Sequence, residues 1–162
     1  MSGGFLPPPG APTIETATLV AAPIDALWTI LTSFESYGNW NASIRKVNGP
    51  ARAGATIVVR SAGEADKPVR IEALSPYVMH WVGSSEDPAD FRGDHFFELE
   101  AVSATETLFL HREYFTGLHA AAVVARYGDA IRASFELLNA CLKAEAEKVT
   151  GIHVSTNARV AR

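Results

Sequence analysis

A change of hydrophobic period is the feature that most narrows what this chain can fold into. Between Ala42 and Phe115 lie the runs SIRKV, ATIVVRS, PVRIEAL, YVMHWVG, DHFFELEAVS and ETLFLHREYF, set apart by Gly, Pro, Asp or Ser clusters. A period of two marks half-buried strands, and the connections are too short for parallel crossovers, so an antiparallel meander of six strands is expected. The period then changes. Val124, Tyr127, Ile131, Phe135, Leu138, Leu142 and Ala146 recur at spacings of three and four, which predicts one long helix with a single apolar face, kinked or begun at Gly128.

Upstream, TIETATLV (Thr13 to Val20) reads as a first strand, with Ile14, Thr16, Thr18 and Val20 on one face. Pro23 suits a first helical turn, and Ile24, Leu27, Trp28 and Leu31 follow at helical spacing, predicting a helix from about Pro23 to Leu31. Ser33 caps a second short helix carrying Phe34, Tyr37 and Trp40. The sum is an α+β fold: a helix grip, in which a seven-stranded curved antiparallel sheet wraps around a long C-terminal helix, with two short helices after the first strand. Only that terminal helix is long enough to cover the sheet. Where the two diverge, an apolar and aromatic cavity is expected, the usual form of a small-molecule site.

The length of 162 residues fits one domain, here residues 13–150, between a flexible leader at 1–12 and a tail at 151–162. Fourteen basic against eighteen acidic residues leave a net charge of −4, which gives no footprint for nucleic acid or an anionic membrane surface. A single cysteine, Cys141, excludes an internal disulfide framework, and without basic neighbours it reads as a small buried hydrophobe. No stretch is long enough for a membrane-spanning helix and the opening residues lack the pattern of a secretory signal, so a cytoplasmic protein without membrane insertion is expected, as a monomer or homodimer. Phosphate-binding glycine loops and the G-x-S-x-G elbow are absent from the sequence, which removes support for nucleotide use and serine hydrolase chemistry.

Several motifs add to the order of elements: Ala22-Pro23-Ile24-Asp25 with Trp28 and Leu31; Tyr37 with Trp40-Asn41; Trp81-Val82-Gly83; Phe91 through Leu99; His111 through Gly117; and Phe135 through Asn139 to Leu142-Lys143. In these the chain, from about Ile14 to Glu147, resembles the START/Bet v1-like (SRPBCC) superfamily and its polyketide cyclase/dehydrase-like branch. It departs from that pattern at Ala42, where a proline commonly follows Trp-Asn, and at Asp94, where glutamate is more usual. The resemblance implies a hydrophobic, polyketide-like or related secondary-metabolite ligand. It leaves open whether the protein is a cyclase/dehydratase or a non-catalytic carrier of a lipid, quinone or steroid-like molecule, because one fold hosts many functions.

Strand alternation supplies candidates for chemistry. On DHFFELEAVS, His95, Phe97, Leu99 and Ala101 share a face. A three-residue turn at Ala104 to Glu106 places His95 opposite Phe115, Phe97 opposite Glu113 and Leu99 opposite His111, whereas a loop one residue different turns Arg112 and Tyr114 inward instead. In the first register His95, His111 and Glu113 join an apolar concave surface, where burial raises a carboxyl pKa and a neighbouring carboxylate raises that of histidine. Such a group suits proton abstraction beside a carbonyl, with aldol closure and dehydration, and requires no cofactor. The same three residues also suit a structural network, since buried polar groups need partners.

A His-His-carboxylate set is a possible zinc site, but alternation does not secure the convergence zinc demands, and no metal is expected. Trp28, Tyr37, Trp40, Trp81, Phe97, Phe109, Tyr127 and Phe135 are candidate cavity walls, and Asn139 is a polar residue beside the helix's apolar stripe. His80 and His119 read as exposed or loop residues, and His153 lies in the tail. Gly54, Gly63 and the segment Gly83 to Pro88 mark loops at the cavity mouth.

Overall fold

The computed structural model describes residues 4–151. Residues 1–3 of the expected leader, and the tail from 152 onward with His153, lie outside the described residues. Strands β1 (Thr13–Val20), β2 (Ile44–Asn48), β3 (Thr56–Ser61), β4 (Lys67–Ser75), β5 (Val78–Ser84), β6 (Arg92–Ala101) and β7 (Thr107–Thr116) form one sheet in the order β1-β7-β6-β5-β4-β3-β2. Every pairing is antiparallel. The meander therefore runs from β2 to β7, and β1 closes against β7 with Ile14 opposite Glu113 and Thr16 opposite His111.

Helix α1 (Ile24–Thr32) starts at Pro23 and buries Leu27 and Leu31. A 3-10 turn (Phe34–Ser36) leads into α2 (Tyr37–Trp40). Ser33 does not cap this second helix: its hydroxyl turns back to donate to the Thr29 carbonyl at 2.7 Å. Asn41 instead organises the exit, its side-chain oxygen accepting from the Ser43 and Ile44 amides at 2.9 and 2.8 Å.

Helix α3 (Ala120–Val149) is longer at both ends than its apolar stripe suggests, and Gly128 lies inside it. Its second half is the buried one, with Phe135, Leu138, Leu142 and Ala146 set against the sheet and α1. Leu138, Leu142 and Ala146 join Tyr37, Ile57, Met79, Phe97 and Phe109 in the main core, while Phe135 belongs to a smaller cluster with Ile14, Phe115 and Ala120. In the first half Ala120 is buried and Val124 and Ile131 pack beside Ile14 and Phe115, while Tyr127 is half-exposed and space is left towards β3, β4 and β5.

Register is where the structure departs from the expected turn. Ala101 pairs with Thr107, so the β6–β7 loop spans residues 102–106, and His95 stands opposite Glu113, Phe97 opposite His111 and Leu99 opposite Phe109. The shift is two residues. Because side chains alternate with period two, every residue keeps its expected face while changing its partner. Residue 5, within the expected leader, makes contacts with the sheet. The Phe5 amide donates to Glu98 Oε1 at 3.1 Å, and the Phe5 ring meets Phe96, Tyr114 and the Arg112 guanidinium on the convex face.

Candidate functional site

Between the first half of α3 and the concave face of β3 to β7 lies a cavity of about 740 Å³, within the range of small-molecule sites. Trp81, Phe91, Phe115 and Phe135 give it flat apolar walls, and Val123, Tyr127 and Leu137 line it from α3. Ser84 at the end of β5, Ser85 just beyond it, and Glu64 and Lys67, an ion pair at 2.5 Å, also line it. Residue 83, the first of the expected mouth segment, is a wall glycine as well.

His95, His111 and Glu113 all face this cavity. His111 is 1% exposed and His95 half-buried, and their Nε2 atoms lie 2.6 Å apart. On its other side the His111 Nδ1–H donates to Asn139 Oδ1 at 2.8 Å, and the Asn139 amide donates to Thr16 Oγ1 at 2.9 Å. The Thr16 hydroxyl donates in turn to the His111 carbonyl at 2.9 Å, closing a ring of contacts between β1, β7 and α3. Phe135 lies parallel to both imidazoles, 4.8 Å from His95 and 4.0 Å from His111 between ring centres.

Burial drives the His95 pKa well below 6.5, with His111 adding repulsion. It pushes His111 down to about 4, the Asn139 hydrogen bond opposing it. The expected rise of the histidine pKa beside a carboxylate is thus reversed by burial, and both rings are neutral at pH 7, a state compatible with an N–H···N bond between them.

Glu113 has no hydrogen-bond partner among the described residues. Burial pushes its carboxyl up to about 8, against a weaker pull from Lys67. Space for that carboxyl comes from a glycine: a Cβ on Gly93, the residue two before His95, would collide with Glu113 Oε1. A glycine inside a strand often marks such an approach, and this one was available as a signal in the sequence. Phe91, Phe115, Glu64 and Lys67 are among the further wall residues not named as candidates from the sequence.

The remaining candidates separate into wall and core. Trp81, Tyr127 and Phe135 line the cavity. Tyr37, Phe97 and Phe109 are fully buried in the core and do not line it, the Tyr37 hydroxyl donating to the Leu31 carbonyl at 2.6 Å. Trp28 and Trp40 pack against the core from the side of the short helices, Trp28 edge-on to Tyr77. Asn139 stands behind His111 rather than in the wall. His80 is neither loop nor exposed: it sits on β5, stacks on Phe96 and donates to Asp94 Oδ1 at 2.8 Å on the convex face. His119 is exposed at the start of α3, as expected. Cys141 is partly buried.

The nitrogens of His95 and His111 are too close for a shared metal, since two Zn–N bonds of about 2.0–2.1 Å in tetrahedral geometry hold nitrogens farther apart than this contact. Among the described residues, no helix is long and apolar enough to cross a membrane.

No protein-family model matches the sequence, and no curated protein matches it. Solved structures do. A START superfamily protein from Mycobacterium smegmatis superposes with a TM-score of 0.66 at 16% identity, over 86% of this chain and 99% of that one. The Zhui aromatase/cyclase from Streptomyces sp. R1128 gives 0.60 at 20% identity, over 86% and 96%. The di-domain ARO/CYC BexL from the BE-7585A biosynthetic pathway gives 0.66 at 18% identity, over 86% of this chain and 47% of that one. The chain thus has the helix-grip fold of the START/Bet v1-like superfamily, a fold shared with aromatase/cyclases.

Proposed function

We propose that this protein encloses a hydrophobic small molecule, polyketide-like or a related secondary-metabolite intermediate, between sheet and long helix, and catalyses its cyclisation and dehydration without a cofactor. The observation that carries this reading is an aromatic-walled cavity of about 740 Å³ with a neutral imidazole pair and an unpaired, proton-bearing carboxyl side by side in its wall.

His95 and Glu113, opposite each other on neighbouring strands, supply a base and an acid within reach of one substrate. His95 takes a proton from a carbon between two carbonyls, and the resulting carbon nucleophile attacks a further carbonyl. Glu113 gives its proton to the alkoxide so formed. In the dehydration that follows, the Glu113 carboxylate removes the next proton from carbon and the His95 imidazolium protonates the departing hydroxyl, so both groups regain their starting states as water leaves. A carrier is the second reading, favoured by the way His111 is already satisfied on both ring nitrogens.

Native mass spectrometry of the purified protein, with denaturing extraction of anything bound, tests the first claim. One aromatic or polycarbonyl molecule per chain is the expected result. An empty protein whose melting temperature ignores a panel of hydrophobic ligands overturns it. His95→Ala and Glu113→Gln then separate the readings: an enzyme loses turnover and keeps binding, whereas a carrier changes only in affinity or stability.

A further inference from the structure

The contacts behind the imidazole pair settle more than its burial. Asn139 Oδ1 only accepts, so the His111 nitrogen facing it, Nδ1, carries hydrogen. The Asn139 orientation is itself fixed, because its amide nitrogen donates to Thr16 Oγ1, whose own hydrogen goes to the His111 carbonyl. A neutral His111 with hydrogen on Nδ1 has a bare Nε2, which accepts. His95 Nε2, at 2.6 Å, must therefore be the donor. That leaves His95 Nδ1 bare. It bonds to no described residue and is not enclosed in protein, so it opens on the cavity that His95 lines.

We propose that the chain Thr16–Asn139–His111–His95 locks the His95 tautomer so that the cavity presents a bare acceptor nitrogen, and that its ligand is an uncharged molecule bearing a phenolic or enolic O–H, not a carboxylate. The inference deepens the proposed site and rests on its being a ligand site. The acceptor selects a donor on the ligand, and the flat walls of Trp81, Phe115 and Phe135 select an aromatic or conjugated frame to carry it. A carboxylate fails there for two reasons. It has no hydrogen to offer His95, and Lys67, the cation among the described wall residues, is already paired with Glu64. Asn139 and Thr16 are positioning residues in this scheme. They touch no ligand and act through His111.

Two measurements on the full chain test the proposal. Nitrogen-15 NMR of histidine-labelled protein at neutral pH is expected to show His111 with hydrogen on Nδ1 and His95 with hydrogen on Nε2. The reverse assignment, or a charged ring in the ligand-free protein, overturns the lock. Asn139→Leu is expected to release the ring assignment, and where that variant does not fold, Thr16→Val gives the same readout by freeing the Asn139 amide to turn over.

Calorimetric titration with naphthalene, 1-naphthol and 1-naphthoate then reads the selectivity. Naphthol is expected to bind about tenfold or more tighter than either of the others. His95→Phe is expected to erase the advantage of naphthol while naphthalene still binds. If all three bind equally, or naphthoate binds best, the acceptor proposal fails and the cavity stands as a ligand site. If none binds, the cavity is not a site for such ligands and both readings fall.

Discussion

Two carboxyls on opposite faces of the same pair of strands, one buried and one in the cavity wall, show how far apart one chemical group can be driven. Asp94, on the convex face of β6, is 1% exposed. Burial alone pushes its pKa up, but the Arg92 guanidinium at 2.8 Å to each oxygen, with His80 at 2.8 Å, outweighs that and leaves it at about 2. Glu113, on the concave face of β7, lacks such partners and is pushed to about 8. Burial acts in the same direction on both, and the local supply of donors decides which form survives. The same division runs through the rest of the two faces. Glu98 pairs with Arg112 on the convex side, whereas the concave imidazoles pair with each other and with an amide.

The largest expected effect breaks the convex side. Asp94→Asn removes the charge from a buried site and sets an amide donor against a donor of Arg92 or His80, and is expected to cost about 2–4 kcal/mol in denaturant unfolding. Its pH signature is distinct. With a folded pKa depressed to about 2, Asp94 contributes stability that is present above the unfolded carboxylate value near 3.8 and is lost as pH falls towards 2. That acid limb is expected to flatten in the variant.

Glu113→Gln sharpens the comparison by reversing the sign. The Glu113 folded pKa is raised above 4.5, so the wild type is penalised increasingly as pH rises from there through about 8. The variant is expected to melt about 5 °C higher than wild type near pH 9 and at the same temperature near pH 4. A lower melting temperature for the variant at alkaline pH would show that Glu113 is a paired carboxylate after all.

His95→Phe is expected to cost about 1 kcal/mol at neutral pH, by leaving His111 Nε2 without its donor. Because both imidazole pKa values are depressed, their contribution is whole above the unfolded value of 6.5 and falls below it. The variant's stability is therefore expected to decline less steeply as pH drops from 6.5 towards 4. The smallest effect belongs to the cavity rim. Tyr127→Ala removes a half-exposed ring and is expected to shift stability by less than about 0.5 kcal/mol while weakening the binding of an aromatic ligand.

Much of this was legible in the sequence, for reasons that can be named. Alternation with period two put His95, His111 and Glu113 on one concave face, and a loop misjudged by two residues left that parity intact. Parity says nothing about position along a strand. Phe97 and Phe109 share the face of His95 and Glu113, yet sit under the buried half of α3, where the two short helices close the grip. Trp81 in the main core and Phe135 in the smaller cluster stand where packed side chains give way to cavity. Which half of a helix lifts from its sheet is decided by what fills the space beside it, a tertiary fact that no single segment encodes. His80 misled for a related reason: its partners Asp94 and Phe96 belong to another strand.

Gly93 carries a consequence beyond making room. An absent methyl group there is what lets the Glu113 carboxyl rest in the wall, so the proton affinity of this acid is open to adjustment from a neighbouring strand without touching the acid itself. Adding one carbon, as in Gly93→Ala, would evict the carboxyl towards open space and water. For anyone engineering the protein, the backbone of β6 is thus a steric dial on an electrostatic property.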